Sequence, residues 1–341
     1  MAGGQERVLR RRIRSVESTK KITRAMELIA ASQMVRAQAR IAGSRPYVAG
    51  MQRVLADVAA DGSLPERLVG VPESPEHAAV IAIVSDRGLC GGYNAFVLRA
   101  ADRLIRTGES AGRSYRLTTA GKKAVGFFRF RGRTVDHPFL MSDRPSYEDA
   151  RRLAATVVPA FLNGEIDLVE LVSTRFFSAG TQTVETRQIL PILPPADGEQ
   201  PARRPAETAA GGNGHGNAGT SAVDPETDGG GQGRGGFFEY EPSSDELLAL
   251  LLPRYTEAAL FQAMLEASAS EHIARQRAMS AATDNADELI KNLRRVMNRA
   301  RQDAITNEIM EIVGGAEALR QGSSQDTTIR HDDYDAEERS A

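Results

Sequence analysis

The segment Ser85–Asn94 (SDRGLCGGYN) combines glycines, a thiol and a carboxylate, and so invites a chemical role. It lies between an apolar run and a helical pattern, where phosphate-binding loops occur, because a helix N-terminus presents free N–H groups. Its glycine spacing matches neither G-x-G-x-x-G nor G-x-x-x-x-G-K-[ST]. A second candidate, Gly121-Lys122-Lys123, lacks the upstream glycine and the hydroxyl residue of a phosphate loop. We interpret the first segment as a tight structural turn, with an anion site as the alternative.

Nucleophilic and acid–base chemistry finds little support in the sequence. Cys90 is the single cysteine, and no histidine is spaced to pair with it, so a small buried side chain is the expected role. His272 lies on a helical stripe and is interpreted as a packing residue. Glu308 and Glu311 form no diagnostic acid–base pair. One cysteine and five histidines also argue against a disulfide and a structural metal. We predict no catalytic residue, no cofactor and no metal site.

Charge is concentrated at the N-terminal end although the whole chain carries a formal net charge of only −2. The first 42 residues hold ten Lys or Arg against three Glu, a net charge of +7. A basic helix of this kind has three interpretations: a solvated face, a DNA-binding arm, or a surface that meets an acidic partner. An apolar stripe runs through the basic stretch, which argues against a free DNA-binding arm. We predict no nucleic-acid partner.

Two long stretches without glycine or proline lie near the ends of the chain. Residues 5–42 predict one helix of about 57 Å, and residues 254–313 predict another of about 90 Å, at 1.5 Å per residue. Gly43 and Pro46 are expected to end the first helix. Neither apolar stripe can be buried by its own helix, so an antiparallel pair is the simplest solution. The first stripe is predicted at Leu9, Ile13, Val16, Ile22, Met26 and Ile29. The second is predicted at Leu265, Ala269, His272, Gln276, Met279, Thr283, Ala286, Ile290, Leu293, Met297, Ala300 and Ala304.

The middle of the chain alternates strand-like and helical patterns, which predicts a mostly parallel sheet with helices and a terminal hairpin. The predicted fold is therefore α/β plus a long antiparallel coiled coil, with a Rossmann-like middle domain. The predicted divisions are a helix and connection (1–65), an α/β foot domain (66–195), a flexible Gly-rich insertion (196–240), a second coiled-coil helix (241–319) and a disordered acidic tail (320–341).

Apolar runs are too short to predict a membrane span, which needs about 20 apolar residues. The Arg-rich N-terminal stretch continues without a break into the helical pattern, so we predict no cleaved leader and an intracellular protein.

Three separated motifs resemble those of one family, the gamma subunits of F-type ATP synthases. They are Ile22–Met34 (ITRAMELIAASQM), the segment Ser85–Asn94 and the stretch 300–316, which contains ARQDAITNEI and EIVGGA. They occur in the family's order and span about residues 4–319, apart from the insertion. The resemblance implies paired terminal helices on a Rossmann-like domain, acting as a non-catalytic rotor.

The resemblance also implies partners and functions. The expected partners are the alpha and beta subunits, which form a hexamer, the epsilon subunit and the membrane c-ring. The rotor would couple proton-driven ring rotation to conformational change at the catalytic beta subunits and so to ATP synthesis, and would contribute to the regulation of ATPase activity and proton flow. The expected location is peripheral, on the cytoplasmic side of the cell membrane. Partner contacts carry over to Arg24, Met26, Arg301, Gln302, Thr306, Glu308, Ile309, Ile312 and Val313.

Three features depart from the family pattern. Gln33 stands where the signature usually has lysine, the Gly-rich insertion is not general in the family, and the tail continues beyond Leu319. The single Cys90 argues against the thiol switch of the chloroplast relatives, which needs two cysteines. Two alternatives remain at this point: a dehydrogenase-like enzyme and a basic coiled-coil DNA binder.

Overall fold

The computed structural model describes residues 2–60, 68, 70, 74–192 and 244–337. The insertion predicted at 196–240 lies outside the described residues. In chain order the elements are α1 (Ala2–Ala60), β1 (His77–Ile83), α2 (Tyr93–Ser110), β2 (Ser114–Ala120), α3 (Lys122–Phe130), β3 (His137–Phe139), α4 (Tyr147–Leu162), β4 (Leu168–Phe176), β5 (Gln182–Leu190) and α5 (Ser244–Glu337). The chain divides into two compact units. The helical unit comprises Met1–Arg36, Arg87–Asn94 and Ala269–Ala341, and the sheet unit comprises Ala37–Asp86 and Ala95–Ser268.

The sheet unit is built on a mixed sheet with the strand order β3-β2-β1-β4-β5. β1 pairs in parallel with β2 and β4, and β2 pairs in parallel with β3. β4 and β5 form the antiparallel hairpin expected around Ser178–Gly180. This order is typical of doubly wound, Rossmann-like sheets. The predicted fold class, a mostly parallel middle domain with long terminal helices, is therefore confirmed.

Hydrophobic cores cover both faces of the sheet. On one face, Leu55 of α1, the inner side of α4 and residues 252–267 of α5 pack against Ile81, Ile83 and Leu171. On the other face, α2 and α3 pack against Val80, Ala82 and Val172. The central strand β1 is buried from Ala78 to Ile83, as its apolar run predicts for a strand covered on both sides.

The first long helix does not end where the sequence predicts. Gly43 and Pro46 both lie inside α1, which continues to Ala60. The apolar spacing explains the continuation, because Ile41, Val48 and Leu55 recur every seven residues and all three are buried. Packing of this stripe outweighs the unfavourable helix propensity of one proline and two glycines, Gly43 and Gly50.

The second long helix also exceeds its predicted limits. α5 begins at Ser244 and includes Pro253, and it continues to Glu337. The prediction of a disordered tail from residue 320 differs from this helical backbone. After Pro253 the sequence contains no further proline to stop the helix, and the helical backbone continues through Gly314 and Gly315.

Candidate partner-binding surfaces of the paired helices

Within the helical unit, α1 and α5 run antiparallel. Thr23 and Thr283 share a hydrogen bond of 2.8 Å between their hydroxyl groups. Lys20 pairs with Asp287, and Arg294 donates to Glu17 at 2.7 Å. As the residue number rises in α1 it falls in α5, which establishes the antiparallel direction that the sequence predicts.

The contact between the two helices uses few large side chains. Ile13 packs against Ile290 and Leu293, and this cluster is supplemented by half-buried Leu9, Val16 and Met297. The predicted stripe of α5 is correct within this unit, because each of its positions from Ala269 to Ala304 is buried or half-buried. His272 is 3% exposed and Thr283 is 7% exposed, so polar groups lie within the seam.

After Val16 the α1 stripe is predicted incorrectly at two of its three positions, whereas Met26 is half-buried as expected. Ile22 and Ile29 are 58% and 62% exposed, whereas Thr23 and Ala30 are buried. Thr23 and Ala30 lie seven residues apart and both have small side chains, so burial in this part of α1 follows spacing and not size. Several large apolar side chains of this part of α1 consequently face solvent in the isolated chain, with Leu28 and Val35 also about 60% exposed.

A belt of basic side chains surrounds one level of the helix pair. Residues 7–14 of α1 contain five arginines and no acid. Residues 291–301 of α5 contain one lysine and four arginines, again without an acid. The antiparallel register brings these stretches to the same level, since both helices rise about 1.5 Å per residue. Arg294 is engaged with Glu17, but the belt as a whole carries a large excess of positive charge.

Beyond this belt α5 is exposed on all sides. The register places Ala2 opposite about residue 304 of α5, so no described residue of α1 lies beside α5 after that point. Every side chain from 305 to 320 is exposed. Ile309 is 54% exposed, Ile312 is 67% and Val313 is 59%. An apolar surface of this extent on a single helix is typical of a segment that is covered by a partner.

The structure places the sequence-predicted contact residues on two surfaces. Arg24 is exposed and its guanidinium donates to both carboxylate oxygens of Glu27 at 2.9 Å, while Met26 is half-buried. The other seven lie on the exposed end of α5, within an arc of about 160° at about 100° per residue. These seven are Arg301, Gln302, Thr306, Glu308, Ile309, Ile312 and Val313, and all are exposed.

The glycine-containing segment of the helical unit is a structural turn. Cys90 is 2% exposed, and Asn94 donates to its sulfur at 3.2 Å and to the carbonyl of Arg87 at 3.4 Å. Arg275 on α5 reaches the carbonyl of Gly88 at 3.4 Å. The small buried thiol expected from the sequence is therefore confirmed, and the turn is held against α5.

In the sheet unit, the N-terminus of α3 already has an anionic neighbour. The Asp86 carboxylate accepts the backbone N–H of Lys122 at 2.8 Å and that of Met141 at 3.1 Å. A cavity of about 460 Å³ lies beside it and is lined partly by Asp86, Asp149 and Arg152. Arg152 is paired with Asp149, so the cavity offers a phosphate little net positive charge. This arrangement does not favour the nucleotide-binding alternative.

Across the part of the chain that the structure describes, no three His, Cys, Asp or Glu side chains are grouped as a metal site would require. None of the described helices is both long enough and apolar enough to cross a bilayer.

The fold and the exposed surfaces together define a class of protein, a subunit of a larger assembly. It combines a Rossmann-like sheet with two long helices, and the exposed apolar and basic side chains of those helices are suited to contact with partner subunits. A family model described as ATP synthase matches residues 5–319. The ATP synthase gamma chain of Frankia casuarinae is 44% identical over 325 residues, covering 94% of this chain and 99% of its own. The gamma chain of Streptomyces coelicolor is 38% identical, with 93% and 97% covered. The chain belongs to the ATP synthase gamma-chain family, and it is a non-catalytic subunit of the central stalk of the F1 sector.

Solved structures agree on the fold. A chain from the Euglena gracilis mitochondrial ATP synthase, in a complex described as OSCP/F1/c-ring, matches with a TM-score of 0.60 at 17% identity, covering 94% of this chain and 96% of its own. A chain from the Tetrahymena thermophila mitochondrial ATP synthase central stalk and c-ring matches with a TM-score of 0.51 at 19% identity, covering 76% and 99%. Family membership replaces the dehydrogenase and DNA-binding alternatives.

Sequence reasoning missed two parts of these surfaces. The exposure of Ile22, Leu28 and Ile29 could not be recognised from the sequence, because large apolar residues at helical spacing usually indicate a buried stripe. The seven-residue spacing of Thr23 and Ala30 was the available signal. The basic residues at 291–301 were also missed, although the absence of acids between residues 289 and 302 is visible in the sequence.

Proposed function

We propose that this chain is the rotor that couples proton-driven rotation of a membrane c-ring to conformational change at catalytic beta subunits, and so to ATP synthesis. Its partners in this proposal are an alpha–beta hexamer, an epsilon subunit and the c-ring. The chain acts at the cytoplasmic side of the cell membrane as a peripheral part of the complex, and it contributes to the regulation of ATPase activity and proton flow.

The exposed end of α5 carries the proposal. Its side chains from 305 to 320 are all exposed, and apolar Ile309, Ile312 and Val313 lie beside polar Gln302 and Thr306. A sleeve formed by the hexamer would remove the apolar side chains from water at about 25 cal/mol per Å² of buried apolar area. Apolar contacts lack directional bonds, so they allow a helix to turn within the sleeve. The polar group, which includes Arg301 and Glu308, supplies the hydrogen bonds that transmit torque.

The basic belt, which lies next to the exposed end of α5, supports the proposal that an anionic partner surface surrounds the helix pair there. Like charges on the two helices repel one another, and carboxylates on a surrounding subunit would reduce this repulsion. Arg24 fits the same explanation, since its side chain is 59% exposed and pairs with Glu27 on the same helix. An acidic segment of a beta subunit would contact Arg24, whereas the half-buried Met26, about 200° around α1 from Arg24, would contact the hexamer from another side of the helix.

Reconstitution of the full chain with alpha and beta subunits tests the proposal. The double variant Arg301→Ala/Gln302→Ala should lower the ATPase activity of the assembled complex by about tenfold or more, because loss of the charge-assisted contact of Arg301 alone costs about 1.5 kcal/mol. The matched control is Asn307→Ala/Glu311→Ala, at exposed positions outside the predicted arc. The control should retain activity. Failure of the tagged wild-type chain to recover alpha and beta subunits would contradict the proposal, as would equal loss in both double variants.

A further inference from the structure

A second exposed surface lies in the sheet unit and is not among the contacts already proposed. Arg106 of α2 and Arg131 and Arg133 of the turn after α3 surround the carboxylate of Asp102. Phe127 and Phe130 flank them at the end of α3. We call these residues, with Arg99 and Arg103 on the same side of α2, the arginine–phenylalanine face.

Ion pairs with carboxylates of the chain hold three of the five arginines of this face, Arg106, Arg131 and Arg133, in position. Asp102, whose side chain is 10% exposed, lies 3.1 Å from Arg106, 3.6 Å from Arg131 and 3.4 Å from Arg133. Arg133 also donates to both oxygens of Glu109, at 2.6 and 2.8 Å. This bidentate bond raises the pKa of Arg133 and lowers the pKa of Glu109. A guanidinium that is already ordered loses less side-chain entropy when a partner binds it.

Aromatic rings are unusually exposed beside these charges. Phe130 is 89% exposed and Phe96, at the start of the same side of α2, is 58% exposed. The guanidinium of Arg131 lies 5.3 Å from the centre of the Phe127 ring, and that of Arg99 lies 5.1 Å from Phe96. Exposed aromatic rings among ordered arginines are the composition of binding hot spots in protein–protein interfaces.

The chemistry of the face identifies the kind of partner. Five arginines against Asp102 and Glu109 leave a net charge of +3, so the partner is anionic. Its cations are all arginine and not lysine, and at least three are held in place by carboxylates of the chain itself. A guanidinium that is held in place presents two parallel N–H groups, which suit a carboxylate at a defined position on a protein. An anionic membrane does not require this order, because mobile lysines bind it as well as arginines do. These observations favour a protein surface over a lipid surface.

We propose that the arginine–phenylalanine face docks an acidic protein surface, with carboxylates against Arg99, Arg103 and Arg131 and an apolar pocket around Phe130. This docking is independent of the rotor contacts on the paired helices, because the whole face lies within the sheet unit. The proposed docking surface is the side of α2 and α3 that faces away from the sheet.

Photo-crosslinking in the intact complex tests the proposal. Phe130 is replaced by benzoylphenylalanine in the full tagged chain, and the complex is purified from native membranes and irradiated. The matched control carries the same probe at Phe177, which is 54% exposed and has the Arg175 guanidinium 5.0 Å from its ring. The probe at Phe130 should cross-link to an acidic segment of another protein chain, about tenfold more than the probe at Phe177, as expected for a contact worth about 1.4 kcal/mol.

Reversing the charge of two arginines of the face distinguishes specific docking from cross-linking to a protein that is merely nearby. Arg99→Glu/Arg103→Glu changes two exposed arginines that do not brace Asp102, and it should lower the cross-link yield at Phe130 by about tenfold. Cross-links to lipid alone, yields equal to those at Phe177, or a protein cross-link unaffected by charge reversal would each overturn the docking proposal. Co-purification of alpha and beta subunits, measured on the same samples, reports separately on the rotor function.

Discussion

The sheet unit and the helical unit bury their side chains in different ways. In the sheet unit, β1 is sealed on both faces, and residues such as Val80, Ile81 and Ile83 are completely buried. In the helical unit, the seam joins small and polar residues, and large apolar residues such as Ile22 and Ile312 are exposed. One unit completes its own core, whereas the other leaves apolar surface for its partners. This difference agrees with the proposal that the rotor contacts lie on the helices, while the sheet unit holds a closed core beneath the arginine–phenylalanine face.

The largest expected effect is a stability loss in the sheet unit on Gly121→Ala. Gly121 has a φ of +117°, and an added Cβ would lie 2.3 Å from the carbonyl oxygen of Val84. We expect a loss of about 3 kcal/mol or more in the free energy of unfolding, because both the backbone conformation and the contact must change. Urea denaturation of the full chain measures it.

Gly126→Ala is the control for this substitution, since its helical position has open space around the added Cβ. It should be neutral or slightly stabilising, by up to about 1 kcal/mol. Equal destabilisation by both variants would show that the sheet unit is not closely packed at Gly121.

In the helical unit, substitutions at buried and at exposed positions should have different effects, the first on stability and the second on binding. Ile290 is 5% exposed and packs in the seam, so Ile290→Ala should destabilise the helix pair by about 2–3 kcal/mol. Ile309 is 54% exposed, so Ile309→Ala should change stability by less than about 0.5 kcal/mol but weaken binding to the hexamer about tenfold. Circular dichroism melts and binding to reconstituted alpha–beta hexamers distinguish the two effects. Similar melting losses in both variants would contradict the exposed position of Ile309.

A smaller effect is expected from the polar pair in the seam. Each hydroxyl carries one hydrogen, so one hydroxyl donates across the pair while the other accepts that bond and donates to a backbone carbonyl. When one threonine is replaced, the remaining hydroxyl can still donate to the carbonyl of Lys20 or of Met279. The single variants Thr23→Val and Thr283→Val and the double variant form a cycle with an expected coupling energy of about 0.5–1.5 kcal/mol. A coupling energy of zero would show that the two hydroxyls do not interact across the pair.

The smallest effect concerns pH and the sheet unit. Burial raises the pKa of Glu170 above its ordinary value. The folded state therefore favours the protonated carboxyl, and stability is lost as pH rises through the folded pKa. Glu170→Gln should raise the melting temperature at about pH 8 and leave it unchanged near pH 4, where the carboxyl is protonated in both states. Exposed Glu165→Gln should show no comparable gain at the higher pH, and a gain in both variants would contradict burial as the cause.

Local signals in the sequence predicted the sheet unit well. The start of α4 is marked in the sequence by Ser146 and Asp149, which form a capping box there. The strand β3 was missed because three residues are too short to show a periodicity. Its position depends on pairing with β2, which is a tertiary property.

The candidate surfaces were less predictable, for a different physical reason. Exposure of Ile309 and Ile312 depends on the register between α1 and α5, and neither helix encodes that offset by itself. The interior placement of Gly43 and Pro46 likewise depends on packing of Val48 and Leu55. Motif resemblance predicts the contact positions, whereas the structure establishes which of them are exposed.

Rotation of the chain within a reconstituted alpha–beta hexamer tests the rotor proposal most directly. A bead is attached through Glu148→Cys, an exposed position on α4, while native Cys90 is buried and so protected from labelling. The account predicts continuous rotation in one direction when ATP is added, and rotation about tenfold slower in Arg301→Ala/Gln302→Ala, in step with its lower ATPase activity. Steady ATP hydrolysis by the assembled complex with a stationary bead would contradict it.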